Sequence, residues 1–332
     1  MANTVNEAFN EFMASHINLP SSVNKQAKDD INDIYVQIEN QKGDDFFVLY
    51  KDINMYFGSF ARKTKCQPLN DVDVMLGLSA EGNTYSEYSW EDIIMYPSAI
   101  SKAQQACKDE NGYLNSNMLL GKVKSLLINL ADLRSCDIKK NQEAIVFDIK
   151  KKDWSFDIIP CFYTKPQSDG RQYYLIPNGK GRWKKTDPRI DRAHMLDLDK
   201  QHNNNMLPAI RLFKWWNKYS KALTIDGYVM ECLLAQYFEN NSSSQFVDMN
   251  FINLLEYFAV NIYYPIPDPK NIQSDLNNLS HLERKNLSEK AANVYQKAKS
   301  AHNAEVTEND QEKAINIWRD IFGRDNFPSY SE

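Results

Sequence analysis

The chain has 332 residues, 42% of them apolar and 25% charged, with 11 Gly and 12 Pro, which excludes collagen-like, low-complexity and wholly disordered classes and leaves room for about two domains. Its net charge of −5 gives the chain as a whole no sequence-independent attraction to nucleic acid or to an anionic membrane, so any phosphate binding must be local. No apolar run reaches the roughly 18 to 20 residues of a membrane span, and residues 1–7 lack a signal core, so a cytoplasmic protein without membrane contact is expected. Five cysteines, Cys66, Cys107, Cys136, Cys161 and Cys232, are scattered with no Cys-x-x-Cys pair. Neither a disulfide framework nor a structural zinc is therefore expected to support the fold.

The first forty residues read as one long amphipathic helical stretch, with Val23, Ala27, Ile31, Ile34, Tyr35 and Ile38 three or four apart and Gly43 ending it. Residues 46–57 are aromatic and β-branched and lead into a strand or buried segment, after which Gly58-Ser59 makes a turn. Asn70 to Leu76 alternates as a short strand. Helical spacing returns over roughly 97–132, where Met118, Leu119, Val123, Leu126, Leu127 and Leu130 form a stripe. Two apolar runs, Ala144 to Ile149 and Trp154 to Pro160, are separated by Lys150-Lys151-Lys152-Asp153 and read as a hairpin.

Residues 164–205 are rich in Gly, Pro, Asn and basic side chains (Lys180, Arg182, Lys184, Lys185, Arg189, Arg192), which predicts a connection and lid. From 206 onward helices are predicted over 207–221, 225–239, 247–260, 288–302 and 308–322, with Ser288 and Thr307 at N-cap positions. A mixed α/β half over 1–200, with the long helix and the lid, is thus followed by a helical lobe over 201–332.

Asp71 and Asp73 are the centre of the functional argument. In a strand, residues two apart project to one face, about 6 to 7 Å from each other. Two carboxylates so placed converge on hard cations such as Mg²⁺, which takes oxygen ligands from one or two carboxylates and from substrate phosphates. Two ions held about 3.5 to 4 Å apart clamp the attacking and leaving oxygens of a phosphoryl displacement. Upstream, Gly58 permits close backbone approach, and Ser59 with the N–H groups of a short helix over Phe60-Ala61-Arg62-Lys63 is suited to a terminal phosphate. For a third carboxylate Asp157, Asp148 and Asp153 compete. Asp157, flanked by apolar residues in Phe156-Asp157-Ile158-Ile159-Pro160, is the choice, because a charge there is costly without a metal or partner; Asp148 is its rival, and Asp153 follows three lysines as a turn residue.

Gly58-Ser59, Asp71-Val72-Asp73 and the distant Asp157 together resemble the nucleotidyltransferase superfamily with a DNA polymerase beta-like palm. More narrowly they resemble the bacterial cyclic oligonucleotide synthases, relatives of oligoadenylate synthase and cyclic GMP-AMP synthase. The resemblance continues through Trp183 to Pro188, Lys214-Trp215-Trp216, Gly227 to Glu231, Ile317 to Gly323 and Phe327-Pro328. It implies an α+β palm with an oligoadenylate synthase-like helical C-terminal lobe and nucleotides bound in a cleft. Asp71, Asp73 and Asp157 would be catalytic and would hold two Mg²⁺, with Mn²⁺ as a substitute. Gly58, Ser59, Lys214 and Tyr228 would bind nucleotide, Lys214 at the triphosphate and Tyr228 by stacking on a base. Where the family often has Ser-Tyr, this chain has Gly227-Tyr228, which leaves out one hydroxyl contact to phosphate.

The implied activity is the joining of NTPs, ATP, GTP or others, into a cyclic di- or trinucleotide second messenger for anti-phage signalling. It would be carried out by a monomer and read by a downstream cyclic-nucleotide effector, without long nucleic acid as partner. Two alternatives stand beside it: transfer to another acceptor, such as an RNA end or a small molecule, and a catalytically silent nucleotide-binding protein. Taken alone, Arg211, Lys218 and Lys221 read as a solvated basic helix face, His194 and His202 as surface or hydrogen-bonded histidines, and Trp318 and Phe322 as core.

Overall fold

A computed structural model describes residues 1–130, 137–148, 153–219 and 225–331. Cys136, Ile149, Lys150 to Lys152, Lys221 and Leu223, all used in the sequence reading, lie outside the described residues.

In chain order the elements are α1 (Val5–Phe12), a π-helical turn (Met13–Ile17), α2 (Ser21–Gln41), a 3₁₀ turn (Lys51–Ile53), β1 (Met55–Phe57), α3 (Gly58–Ala61) and β2 (Asp71–Gly77). Then come β3 (Thr84–Ser89), β4 (Asp92–Tyr96), α4 (Lys102–Gln105), α5 (Ser116–Asn129), β5 (Asp137–Asn141), β6 (Ala144–Asp148), β7 (Ser155–Tyr163), β8 (Tyr174–Pro177) and β9 (Trp183–Thr186). The chain ends with α6 (Pro188–Gln201), α7 (Met206–Tyr219), α8 (Gly227–Asn240), α9 (Val247–Asn261), α10 (His281–Val306) and α11 (Gln311–Phe322).

The chain forms two compact units, one of residues 21–61 and 69–190, the other of residues 1–20, 62–68 and 191–332. The expected division into 1–200 and 201–332 is therefore replaced by an interleaved one. The expected single N-terminal helix is likewise two helices, one in each unit. Pro20 is the reason: it supplies no N–H, and its ring drives Leu19 out of the helical region. Beyond it Ala27, Ile31, Ile34 and Ile38 are buried along one stripe of α2, as their spacing predicts.

The first unit is built on a nine-stranded sheet with the order β1-β2-β7-β8-β9-β4-β3, and with β6 pairing both β5 and β7. β2 and β7 run parallel, and the other named strand pairs are antiparallel. β6 and β7 form the expected hairpin, with Ile145 opposite Ile158 and Phe147 opposite Phe156. The helical stretch expected over 97–132 is instead α4 and α5, and Asn115 caps α5 by accepting from the N–H groups of Asn117 and Met118. β3 was not legible in advance. Its sequence Thr-Tyr-Ser-Glu-Tyr-Ser is largely exposed, and the strand depends on pairing with β4, whose Ile93, Ile94 and Met95 are buried.

The segment 164–205, expected as an irregular connection and lid, has regular structure. It contributes β8, β9 and α6, and Trp183 is fully buried with its Nε1 donating to Leu114 O at 2.8 Å. Four of its basic residues form ion pairs within the sheet unit: Lys184 pairs with Glu143, Lys185 with Glu87 at 2.6 Å, Arg182 with Asp92 at 3.0 Å and Arg189 with Asp187 at 2.8 Å. Composition concealed these strands because each is four residues long and stands among polar, Gly- and basic-rich neighbours.

The second unit packs α7 to α11 with α1 and most of α6. Phe9 and Phe12 of α1 meet Trp318, Phe322 and Phe327 in a cluster of edge-on and tilted rings. Trp318 and Phe322 are fully buried, as expected. The start of α10 lies earlier than predicted: Ser280 is its N-cap, in a capping box with Glu283, while Ser288 sits inside the helix and donates to Ala259 O at 2.6 Å. Thr307 is the C-cap of α10, and Asp310 caps α11. Replacing Ser280 by Ala should cost about 1 kcal/mol in denaturant unfolding, whereas Thr307→Ala should stay within about 0.5 kcal/mol of the parent; the reverse order would contradict this capping assignment.

Candidate active site

The parallel pairing of β2 with β7 sets Asp73 opposite Asp157 and Asp71 opposite Ser155. Neighbours in register on parallel strands point to the same side, with strands about 4.8 Å apart. Asp71, Asp73 and Asp157 thus share one sheet face, all three half-buried, while Val72, Val74, Phe156 and Ile158 point to the opposite, fully buried one. Further along the carboxylate face the side chains become apolar, with Met75, Ile159 and Cys161 packing against Ile53 and Ile176.

The rival Asp148 is on β6, exposed, and opposite Ser155; the residue beside Asp157 on that strand is Val146. Asp148 is therefore separated from Asp71 by Ser155, and from Asp73 by the whole of β7 and a further step of two residues along the strand. Asp153 is exposed in the bend before β7. Three hard oxygen donors on one face, with like charges side by side, fit a divalent cation such as Mg²⁺, which would relieve their repulsion.

Gly58 follows β1, whose Phe57 is the register partner of Asp73. Its φ is +63°, and a Cβ there would stand 1.9 Å from Asp73 Oδ2. Only glycine fits both the left-handed backbone and the close approach of the carboxylate. The short helix expected to begin at Phe60 spans Gly58–Ala61, so Ser59 is in its first turn, directly after the Gly58–Asp73 contact.

The remaining predicted site residues belong to the helical unit, where they form a buried charged network. Lys214 on α7 pairs with Glu231 on α8 and donates to Thr64 O at 3.1 Å. Arg62 Nε donates to the other Glu231 oxygen at 2.7 Å. Burial pushes the Glu231 carboxyl up, but the Arg62 and Lys214 charges outweigh it and hold the group down at about 2. Tyr228 has Arg62 5.0 Å from its ring centroid; its hydroxyl lies 2.6 Å from Asp191 Oδ1 and accepts from Lys270 Nζ at 2.6 Å. Lys270 also pairs with Asp268 at 3.2 Å. At position 227, where a serine was expected from the resemblance, a side chain would begin 4.0 Å from Lys214 Nζ.

Arg62, Asp191, Asp268 and Lys270 were not singled out by sequence. One signal was available: Glu231 is a lone charge within Val229-Met230-Glu231-Cys232-Leu233-Leu234, and it is 1% exposed, so it must have a counter-ion. Its partners lie far away in the chain and carry no local mark. Arg211, read as part of a solvated face, instead donates to Asn18 Oδ1 at 2.9 Å and Lys63 O at 2.7 Å, whereas Lys218 is exposed. His194 pairs with Glu239 at 3.2 Å and His202 contacts Phe238 O at 2.8 Å, as hydrogen-bonded histidines should. Cys66, Cys107, Cys161 and Cys232 are free thiols.

Comparison with known proteins adds three likenesses. The chain is 34% identical over 336 residues, 100% of each protein, to a probable cyclic nucleotide synthase of Bacillus cereus (strain VD146). It is 29% identical over 214 residues to the cyclic AMP-AMP-AMP synthase of Acinetobacter sp. (strain ATCC 27244 / 9458), covering 60% of this chain and 57% of that one. The fold is similar to that of CdnC from E. coli MS115-1, determined with ATP, at a TM-score of 0.69 and 16% identity over 98% of this chain and 99% of the other. No family model matches the chain.

Because the folded-state value of Glu231 lies below its ordinary 4.5, the stability it contributes is complete above that pH and is lost as pH falls toward about 2. Glu231→Gln should remove this acid-labile component and, near neutral pH, cost about 3 to 5 kcal/mol by leaving two buried cations without a counter-ion. Urea unfolding across this pH range measures both effects, and an unchanged acid limb in the variant would refute the ion-pair account.

Proposed function

The chain belongs to the bacterial cyclic nucleotide synthase family, as its full-length likeness to the Bacillus protein establishes, and from that premise we propose how its residues make the product. It is a nucleotidyltransferase. In the proposed reaction a ribose hydroxyl attacks the α-phosphate of an NTP, a P–O bond forms to the acceptor, and the bond to the β-phosphate breaks to release pyrophosphate. A second such step closes the ring. The observation carrying this reading is the register that sets Asp157 beside Asp73 on the face that also bears Asp71.

Asp71, Asp73 and Asp157 would hold two Mg²⁺, or Mn²⁺ in their place. When bound, such ions neutralise triphosphate charge and acidify the attacking hydroxyl. Asp157 receives the hydroxyl proton. Gly58 and Ser59 hold the terminal phosphates, next to the Asp73 carboxylate whose approach to Gly58 the missing Cβ allows. By resemblance, Lys214 contacts the triphosphate and Tyr228 stacks on a base. The ion pair with Glu231 orients the Lys214 ammonium, and the hydrogen-bonded Tyr228 hydroxyl fixes its ring. Catalysis is then chiefly positioning and charge neutralisation.

The substrates we propose are purine NTPs, ATP among them, and the product is a cyclic di- or trinucleotide. The named product of the Acinetobacter relative and the ATP of the CdnC structure support ATP, and larger purine faces stack better on an aromatic ring. A role in anti-phage signalling through a cyclic-nucleotide effector, as a cytoplasmic monomer, rests on family resemblance. Among the described residues no helix is long and apolar enough to cross a membrane.

The test is incubation of the pure chain with α-labelled NTPs and Mg²⁺. The product should resist phosphatase and have the mass of a nucleotide multiple without a triphosphate end. Asp73→Ala should abolish transfer with little loss of thermal stability, since it also relieves carboxylate repulsion in the metal-free protein. Asp157→Asn should be inactive and Asp148→Asn should retain most activity. Pyrophosphate release by Asp73→Ala at the parental rate would overturn the metal assignment, and exclusively linear, phosphatase-sensitive products would overturn cyclisation.

A further inference from the structure

Within the helical unit, Asp248 stands in the first turn of α9 and is 6% exposed. His302 and Glu305 lie three apart on α10, a spacing that puts both on one helix face, and α10 packs along α9. One ligand atom from each of the three residues, a ring nitrogen and two carboxylate oxygens, lies within 4.8 Å of both others. His302 Nδ1 is buried and has no hydrogen-bond partner. A buried, unpartnered nitrogen on an imidazole that stands beside two carboxylates is unusual, because a simple hydrogen bond would satisfy it.

We propose that Asp248, His302 and Glu305 form a second divalent-metal site, separate from the palm carboxylates, that ties the start of α9 to the C-terminal part of α10. One imidazole nitrogen with two carboxylate oxygens is a borderline donor set that favours Zn²⁺ among common cations, whereas the all-oxygen set on the sheet favours Mg²⁺. Three protein ligands leave a position for water, and the half-exposed His302 and Glu305 provide an entry path.

Two further features fit. Gln311 hydrogen-bonds the Glu305 carboxylate while its Oε1 accepts from Val5 N at 2.8 Å, so the ligand is oriented by an outer partner that is itself held by α1. Burial pushes the Asp248 carboxyl above its usual range, and burial together with the Asp248 charge does the same to Glu305. A cation relieves both penalties. Such a site departs from the expectation that no structural zinc supports the fold: that expectation comes from cysteine spacing, and the ligands here are an imidazole and two carboxylates. Sequence could not reveal it, because Asp248 joins the His302/Glu305 pair only when two helices pack.

The experiment uses the full chain carrying Asp73→Asn to weaken the palm site, stripped with chelator and titrated with Zn²⁺. One equivalent should bind and raise the melting temperature, and X-ray absorption should report one imidazole with oxygen neighbours. Adding Glu305→Gln should weaken binding by at least the roughly 10- to 100-fold that an outer-sphere partner contributes, with the metal-free melting temperature unchanged or higher. His302→Gln should remove the imidazole signal. If His302→Gln fails to fold, the Glu305→Gln comparison and the parental spectrum decide. Absence of Zn²⁺ binding, sulfur ligation by the free cysteines, or undiminished affinity in Glu305→Gln would each overturn the site, leaving the nucleotidyltransferase reading untouched.

Discussion

Two strands separated by about a quarter of the chain, β2 and β7, lie side by side in parallel, and their register places three carboxylates on one face. Parallel neighbours cannot be joined by a tight turn, so the intervening chain must travel out and return, and here it does so through β3 to β6 and two helices. A slip of one residue would turn Asp157 to the buried face and bring Phe156 out. The fully buried Val72, Val74, Phe156 and Ile158 forbid that slip. The apolar alternation thus does more than stabilise the sheet: it holds the carboxylates in the row where their charges are neighbours, and Gly58 keeps the space beside Asp73 clear.

The helical unit meets a different constraint. Glu231, Arg62, Lys214, Asp191, Asp268 and Lys270 are charged groups in a region otherwise lined with apolar side chains, and removing such groups from water is costly. The cost is offset because each has a partner of opposite sign within hydrogen-bond reach. For stability alone, apolar residues of similar volume would serve as well. On the proposed function, a network that holds a lysine and a tyrosine in fixed positions would orient Lys214 for polyphosphate and Tyr228 for a base.

Much of the chain was legible before any fold was known, wherever one physical rule acted locally. Asp-x-Asp in an alternating run specified β2, Asp157 is preferred to Asp148 although the two have similar settings in the sequence, and helical periodicity located α7, α8, α9 and α11 to within a few residues, with α10 beginning seven residues before its predicted start. Cap identities were missed because Ser288 and Thr307 satisfy the residue preference without the geometry. The true caps depend on where the preceding loop enters.

By itself, then, the sequence determined the type of chemistry: acidic residues at strand spacing, a glycine-serine turn before them, a lone Glu231 demanding counter-ions and a helical second half. Tertiary structure alone decided which residues meet. Arg62 with Glu231, Asp191 with Lys270, and Asp248 with the His302/Glu305 pair are brought together by packing between distant elements, and no spacing along the chain encodes that. It also turned an apparent lid into two sheet strands and divided the N-terminal helical stretch at Pro20. Local propensity depends on neighbours in sequence, whereas pairing and burial depend on neighbours in space, and the chain changes its spatial neighbours each time it passes between its two units, after residues 20, 61, 68 and 190.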